Sequence, residues 1–446
     1  MNLGSVVIVL AFVSSLAAAV TFFRNKPGSA AKVPMRLFYV TAGGIVVSAC
    51  YMLYLLTSHQ FQFTYVAQYS SSSQPLLFLI SAFWAGQEGT FLLWTLFVAL
   101  MGLFFLRKSD DTDTVAMGIV SLFISFLTLL MIIRSPFRET VNTPTDGSGM
   151  NPLLQNFWMV IHPPVLFVGY AATIFPFALV ISALRRRNYS RWNASGFRWS
   201  LFATVSLGAG IIIGGFWAYE VLGWGGYWGW DPVENSSLVP WLTLLALVHG
   251  LLIQKKKGSL VRTNMFLAMI TFVLVLYATF LTRSGVLQDF SVHSFEDFGI
   301  GNYLVGVMIV AVVAGTGFFL TRLRETRSPK MDLSGLHREL TILLGVYVLC
   351  VAGLFVFFCM SSPLITGLFG KASQVDVSFY NKVNLPVAIA IGLLLGVTPF
   401  LGWREEPQSG LLKRLSMPLA LTILSCVIAY VLEPLCILMD LTGLCV

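Results

Sequence analysis

Histidine offers the widest choice of chemistry in this sequence, and the chain contains only five. An imidazole binds metals and exchanges protons near neutral pH, and in or beside a membrane segment it is a functional candidate by default. His162 precedes the pair Pro163 and Pro164, His293 lies in SVHSFED, and His249 lies inside an apolar run. Because proline disfavours helix before it and can open a helix itself, the sequence predicts that His162 is held at the mouth of the following apolar segment.

Each of these histidines also has an ordinary structural interpretation. His293 precedes a possible helix cap from Ser294 to Asp297, and a single loop histidine is usually structural. Two loop histidines together are, however, suited to clamp one object from opposite sides. His249 lies roughly 16 Å into its apolar run, where its ring needs a partner: a hydroxyl or backbone group of another helix, or a metal. The sequence predicts a solvated His337 and an interfacial anchor at His59.

The stretch WAYEVLGWGGYWGWDPVENSS, at 217–237, concentrates aromatic side chains in one predicted loop. An interfacial belt of Trp and Tyr fits poorly, since a belt spreads its rings among many helix ends. The rings are those of Trp217, Tyr219, Trp224, Tyr227, Trp228 and Trp230. Intervening glycines allow close backbone approach, so we expect a flat platform on which a large planar ligand stacks.

The end of this stretch matches the start of a helix. Asp231 is placed as the cap, Pro232 at the first helical position and Glu234 two residues later. We therefore interpret Asp231 as a cap rather than as a catalyst.

A porphyrin suits this combination of residues. It is planar and apolar, and its iron accepts axial histidine ligands. These ligands account for much of its binding to a protein. Its propionates require cations, but few basic residues lie on the side of the membrane where these segments are predicted. Arg283, ten residues before His293, is the first candidate, followed by Arg134 or Arg138.

These residues are positioned by membrane-spanning helices. The chain is 57% hydrophobic and 11% charged, whereas soluble domains carry about 25% charged residues. Apolar runs long enough to cross a bilayer predict one all-α polytopic membrane domain over 1–446 and exclude a β-barrel. The predicted spans are 2–23, 37–57, 77–106 with a break near WAGQEG, 115–133, 163–184, 199–219, 238–254, 260–281, 303–320, 340–359, 385–402 and 416–437. In the broken run, we expect a surface helix before a shorter span that starts near Thr90.

The distribution of Lys and Arg predicts the orientation of these spans, because basic residues accumulate in cytoplasmic loops. All but five of the 28 basic residues fall on one side. The exceptions are Arg134, Arg138, Arg283, Lys371 and Lys382. Both termini and the aromatic stretch are therefore predicted to lie outside, and the net charge of +8 indicates topology rather than a nucleic-acid partner. The six cysteines form no C-x-x-C motif, so no zinc site, redox pair or covalent haem attachment is predicted.

Four segments together resemble the CcmF/NrfE-type cytochrome c haem lyases, within the haem-handling superfamily that shares a tryptophan-rich "WWD" domain. They are WAGQEGTFLLW at 84–94, NPLLQ with IHPPVLFVGY within 151–170, WGGYWGWDPVENSSLVPWL at 224–242 and TRSGVLQDFSVHSF at 282–295. The resemblance implies that 217–241 is the haem-binding WWD segment, that His162 and His293 ligate haem there, and that His249 ligates a second, b-type haem in the membrane.

The resemblance also implies the activity and the partners. Haem b would be the substrate, joined to the C-x-x-C-H cysteines of apocytochrome c at the outer face of the bacterial inner membrane. A CcmE-type haem chaperone and CcmH/CcmI-type subunits would be the other partners.

The chain departs from this family in length. Family members are longer and carry a second membrane histidine late in the chain, but no histidine follows His337 and the span in 415–446 has no counterpart of it. Either a separate chain completes the lyase and supplies that ligand, or the membrane haem is absent or differently bound. Alternatives to a lyase are a haem transport or delivery subunit that forms no bond, a secondary transporter with a midplane site, and a structural scaffold.

Overall fold

The computed structural model describes residues 2–25, 31–108, 113–223, 225–297, 299–331, 333–403 and 410–442. The secondary structure of these residues is helical, apart from one isolated bridge between Phe63 and Glu139. The helices are α1 (Leu3–Arg24), α2 (Lys32–Thr57), α3 (Thr64–Tyr69), α4 (Leu76–Ser81), α5 (Gln87–Lys108), α6 (Thr114–Ile133), α7 (Phe157–Arg186), α8 (Ser190–Val221), α9 (Pro232–Lys257), α10 (Val261–Arg283), α11 (Gly301–Thr321), α12 (Arg338–Met360), α13 (Ser362–Gly367), α14 (Val377–Val397) and α15 (Leu411–Thr442). Within the described ranges, twelve of them are long and apolar enough to cross a membrane, which confirms the predicted all-α polytopic fold.

Several spanning helices extend beyond the apolar runs that predict them. α7 starts at Phe157 because the side chain of Asn156 accepts a hydrogen bond from the Trp158 backbone N–H at 2.9 Å. Hydropathy marks the part of a helix that lies in hydrocarbon, whereas polar caps determine where the helix begins. His162 therefore lies inside α7, and the prediction that Pro163 opens this helix is wrong.

The interruption before α5 has the predicted form. The short helix α4 and a 3₁₀ turn at Ala82–Trp84 precede α5, which begins at Gln87 rather than near Thr90. A second predicted start is wrong: Ser294 to Asp297 cap no helix, and the next helix begins at Gly301.

Helices α7 to α10 pack side by side in the buried centre of the bundle. The approach of α7 to α8 requires a glycine, since a Cβ at Gly210 would lie 2.7 Å from the Leu166 Cα. In the most apolar part of α7, 83% of the residues are buried, whereas none is buried in the corresponding parts of α14 and α15. The central helices therefore provide the rigid frame for a site. Below, the outer end denotes the end of the bundle that carries the 217–231 stretch, which the basic residues predict to face outward.

Candidate functional site

The outer ends of α5, α7, α8, α9 and α10 surround a cavity of about 290 Å³. Its lining includes His162 and His293, 131 residues apart in sequence, together with Arg283, Trp217 and Trp228. We call this space the outer cavity. The structure thus brings two of the candidate histidines, the first candidate arginine and two of the tryptophans to one place.

His162 is held against α8 by a hydrogen bond and by close packing. Its Nδ1 lies 2.7 Å from the carbonyl oxygen of Gly210. Because a carbonyl only accepts, Nδ1 carries the proton and Nε2 keeps the lone pair, the arrangement typical of a metal-bound histidine. A Cβ at Gly214 would lie 2.6 Å from the imidazole Cε1, so this ring position requires glycine there.

His293 is oriented by the residues that start α9. Its Nδ1 lies 3.4 Å from Asp231 Oδ1, and both side chains are largely buried. The same Oδ1 accepts hydrogen bonds from the Val233 backbone N–H at 2.7 Å and from the Ser291 hydroxyl at 2.8 Å. The His293 ring also packs edge-on against Trp217, with ring centroids 5.4 Å apart. Asp231 therefore caps α9 as the sequence indicates, and it also faces one imidazole of the cavity in the manner of a carboxylate behind a metal-binding histidine.

Arg283 supplies a buried positive charge to the outer cavity. It is 4% exposed, and its guanidinium lies 4.9 Å and 5.0 Å from the ring centroids of Phe91 and Phe295. Its Nη1 is buried and has no hydrogen-bond partner among the described residues. Cation–π contacts offset part of the cost of burying this charge, but an unsatisfied buried cation favours a bound anion. The burial of Arg283 and its unsatisfied Nη1 suit it to bind a carboxylate group of a molecule in the outer cavity.

The other two candidate arginines lie elsewhere. Arg138 lines a separate depression with Asn2 and Glu139, and Arg134 caps the end of α6 and is not among the lining residues of the outer cavity. Of the three arginines, Arg283 is the one that faces the two histidines.

Trp217, Trp228 and Trp230, the described tryptophans of the stretch, do not form the expected flat platform. Trp217 belongs to α8 rather than to a loop, and its indole N–H donates to the Leu153 carbonyl at 3.0 Å. The planes of Trp228 and Trp230 are 89° apart. Trp230 stacks instead on Tyr380 of α14 at 4.9 Å, because its left-handed backbone, with φ of 54°, turns the chain just before the Asp231 cap. Trp224 lies outside the described residues.

Trp228 offers a buried indole N–H to the outer cavity. It lines the cavity, and its Nε1 is buried without a hydrogen-bond partner in the part of the chain that the structure describes. A buried N–H of this kind is satisfied when a polar ligand group occupies the space beside it.

Sequence reasoning missed the contacts of two side chains that assemble this region. Glu234 lines the outer cavity, and its Oε2 accepts from the Gly229 backbone N–H at 2.9 Å, which ties the aromatic stretch to α9. Gln87 donates to the Glu296 carbonyl at 2.9 Å, which ties the start of α5 to the loop of His293. The unusual position of Gln87 between glycines is visible in the sequence, but its partner 209 residues away is not.

A neutral phenol lies near Arg283. Burial raises the pKa of Tyr69, in the short helix α3, to about 12. Its hydroxyl therefore stays protonated near neutral pH and does not cancel the charge of Arg283.

His249 lies in the inner half of α9. It is eight residues, or about 12 Å, before the helix end at Lys257. Its Nδ1 is 2.7 Å from the Leu245 carbonyl one turn earlier, so the ring has a backbone partner in its own helix rather than the predicted partner on another helix. Nε2 keeps its lone pair, and a membrane haem at this residue stays a prediction.

The structure corrects the interpretation of His337. This residue is 2% exposed rather than solvated, and its Nδ1 accepts from the Leu340 N–H at 3.2 Å as the cap of α12. His59 follows α2 at the outer end with a left-handed backbone, at φ 53°, and does not line the outer cavity.

Comparison with known proteins finds relatives of this chain that act in cytochrome c biogenesis. A sequence model described as "Cytochrome C assembly protein" matches residues 84–287. The cytochrome c-type biogenesis protein CcmF of Haemophilus influenzae is 34% identical over 371 residues, covering 81% of this chain and 56% of that protein. The probable cytochrome c-type biogenesis protein NrfE of Escherichia coli is 32% identical over 368 residues, covering 81% of this chain and 65% of that protein. Over about four fifths of its length, the chain is therefore similar to the CcmF and NrfE proteins.

The fold agrees with this similarity. A solved structure titled "Cytochrome c Heme Lyase CcmF" superposes with a TM-score of 0.76 at 27% identity, over 94% of this chain and 65% of that one. The chain thus spans between half and two thirds of the length of the relatives it matches. The match at 84–287 contains His162, His249 and Arg283 and ends six residues before His293.

Proposed function

We propose that this chain is a member of the CcmF/NrfE family that binds haem in the outer cavity and acts in cytochrome c maturation as the haem lyase or one of its subunits. The observation that carries the proposal is the convergence of His162 and His293, on separate elements, beside the unpaired Nη1 of Arg283. Two axial imidazoles and one cation match the iron and a propionate of haem.

The two histidines would hold the haem iron, and their surroundings favour that role. The Gly210 carbonyl accepts a hydrogen bond from Nδ1 of His162, and the Asp231 carboxylate lies 3.4 Å from Nδ1 of His293, so the Nε2 atoms are the proposed ligands. Arg283 would pair with a propionate, and Trp217 and Trp228 would contact the ring system as cavity walls. Trp230 would act by docking the stretch on α14.

The proposed reaction is thioether formation. A cysteine S–H of the apocytochrome C-x-x-C-H motif adds across a haem vinyl group: sulfur bonds to one vinyl carbon and the proton goes to the other, with no change of net oxidation state. The contribution proposed for this chain is to hold haem still, with its vinyl groups accessible, while the apocytochrome docks, so that two reactants meet in a fixed geometry.

Partners and location follow from the same proposal. The outer cavity would face the periplasm, where a CcmE-type chaperone delivers haem and CcmH/CcmI-type subunits present apocytochrome c. A separate chain would complete the lyase, and His249 would bind a second haem b with a ligand from elsewhere.

The test is reconstitution with purified components. The chain in lipid nanodiscs, loaded with haem, is mixed with reduced apocytochrome c, first alone and then with the neighbouring maturation subunits, and covalent product is detected by mass spectrometry. We expect thioether product that His162→Ala and His293→Ala abolish and the control His59→Asn retains, since Asn tolerates a left-handed backbone. Haem binding without product in every combination of subunits would favour a delivery subunit, and absence of haem binding would overturn the proposal.

A further inference from the structure

A second and larger cavity, of about 990 Å³, lies at the opposite end of the bundle between α5, α7 and α8. We call it the inner cavity. It is independent of the haem proposal, because its lining shares no residue with the outer cavity. The basic residues predict that this end faces the cytoplasm.

The inner cavity opens sideways toward the bilayer. Its wall includes Leu100 and Phe104 of α5 and Phe202 of α8, whose side chains are 44%, 52% and 45% exposed. On spanning helices, exposed apolar side chains face lipid chains. The interior of the cavity is therefore continuous with the hydrocarbon region, and an apolar chain can enter from there.

The lining also carries charge at the cytoplasmic level. Arg186, at the end of α7, and Arg198, in α8, both line the cavity, as does Asp113. Asp113 Oδ1 already accepts from the Ala116 N–H and from the Ser182 hydroxyl. Two guanidinium groups against one carboxylate leave the lining with a net positive charge.

A buried donor without an acceptor adds to this charge. Trp192 lines the cavity and is 1% exposed, and its indole N–H has no hydrogen-bond acceptor among the described residues. Arg186 donates to the Thr114 hydroxyl through one nitrogen. An acceptor-rich anion in the cavity would satisfy Trp192 and use the donors of Arg186 and Arg198 that remain.

We propose that the inner cavity binds one anionic phospholipid from the cytoplasmic leaflet. Its phosphate would lie with Arg186, Arg198 and the Trp192 N–H, and its acyl chains would cover the wall that includes Phe104 and Phe202. Basic pockets between spanning helices on the cytoplasmic side bind anionic headgroups in this way. A free phosphate leaves the apolar wall uncovered, and a neutral lipid leaves the positive charge unpaired.

Native mass spectrometry tests this site. The full chain is reconstituted with equal amounts of phosphatidylglycerol and phosphatidylcholine and then stripped stepwise with detergent. We expect one phosphatidylglycerol to be retained preferentially. Arg198→Gln should weaken this retention about fivefold, the factor that corresponds to roughly 1 kcal/mol per basic residue near an anionic lipid, while Arg36→Gln, at an exposed residue of α2 outside the cavity, should not.

A second variant tests the apolar wall. Ala194→Trp fills the cavity from an exposed position and should abolish retention of the lipid, whereas haem binding at the outer end should be unchanged. Equal retention of the two lipids, equal loss with Arg36→Gln, or competition by inorganic phosphate as effective as that by phosphatidylglycerol would overturn the proposal. A helical circular dichroism spectrum and a single gel-filtration peak confirm that each variant is folded.

Discussion

The histidines of the outer cavity and His249 in α9 are engaged in similar ways but have different surroundings. His162 forms a hydrogen bond with a carbonyl of α8, and His293 faces the carboxylate that starts α9. Each ring is therefore positioned by contact with a different helix of the fold. His249 bonds to Leu245 of its own helix, which fixes the rotamer but no relation to another helix. A ligand pair requires two rings held relative to each other, and the structure provides this at the outer cavity.

The largest expected effect separates these two regions. His162→Ala should lower haem affinity at the outer cavity by more than about 100-fold, beyond the 10–100-fold typical for loss of an outer-shell partner. His249→Ala should leave that affinity unchanged. Haem titration in nanodiscs, followed by absorbance, measures both. Equal losses for the two variants would remove the distinction between the regions.

Arg283→Gln should have the next largest effect. Loss of a charged hydrogen bond to a propionate costs about 1.5–3 kcal/mol, or roughly 10- to 150-fold in haem affinity. Because Nη1 has no partner within the described ranges, the haem-free protein should lose no thermal stability. Arg138→Gln, in the separate depression, is the matched control. A fall in the Tm of the haem-free variant, with haem affinity retained, would indicate a structural role instead.

Asp231→Asn tests whether the carboxylate acts on His293 as well as capping α9. Asparagine caps a helix about as well as aspartate, so helix content and Tm should change little. Haem affinity should fall about 10-fold, at the lower end of the range for a partner behind a metal ligand. A variant with unchanged affinity would show that capping is the whole role of this residue.

Trp230→Phe should have the smallest effect and should act on stability alone. The variant keeps the stacking on Tyr380 and loses the bond from the indole N–H to Asn381 Oδ1 at 2.8 Å. The free energy of unfolding should fall by about 1 kcal/mol, measured by denaturant titration in detergent, with haem affinity unchanged. Weaker haem binding would place this ring in the site after all.

Some features of the fold and of the site can be predicted from the sequence, and others cannot. The twelve spans follow from hydropathy, and the cap at Asp231 follows from the sequence Asp-Pro-Val-Glu, because both depend on residues that are close in the chain. His162, His293 and Arg283 were identifiable as candidates by type and by predicted side of the membrane. The convergence of the two histidines is implied by the family resemblance, but spacing alone does not establish it, since the position of His162 depends on the packing of α7 against α8 through Gly210 and Gly214.

Each of the wrong sequence predictions has an identifiable physical cause. The side chain of Asn156 caps α7 upstream of the apolar run. His162 therefore lies within the helix, although a proline at the next position disfavours helical backbone there. The left-handed backbone at Trp230 turns that ring toward α14, away from the expected platform. The burial of His337 reflects its tertiary surroundings at the start of α12, which a basic loop sequence does not reveal.

The most direct test of the central claim is the electron paramagnetic resonance spectrum of ferric haem bound to the purified chain. If His162 and His293 hold one iron, the wild-type protein gives a low-spin signal typical of two imidazole ligands, and His162→Ala and His293→Ala each convert that signal to high spin. A low-spin signal that persists in either single variant, in protein that carries His249→Ala to remove any membrane haem, would contradict the account.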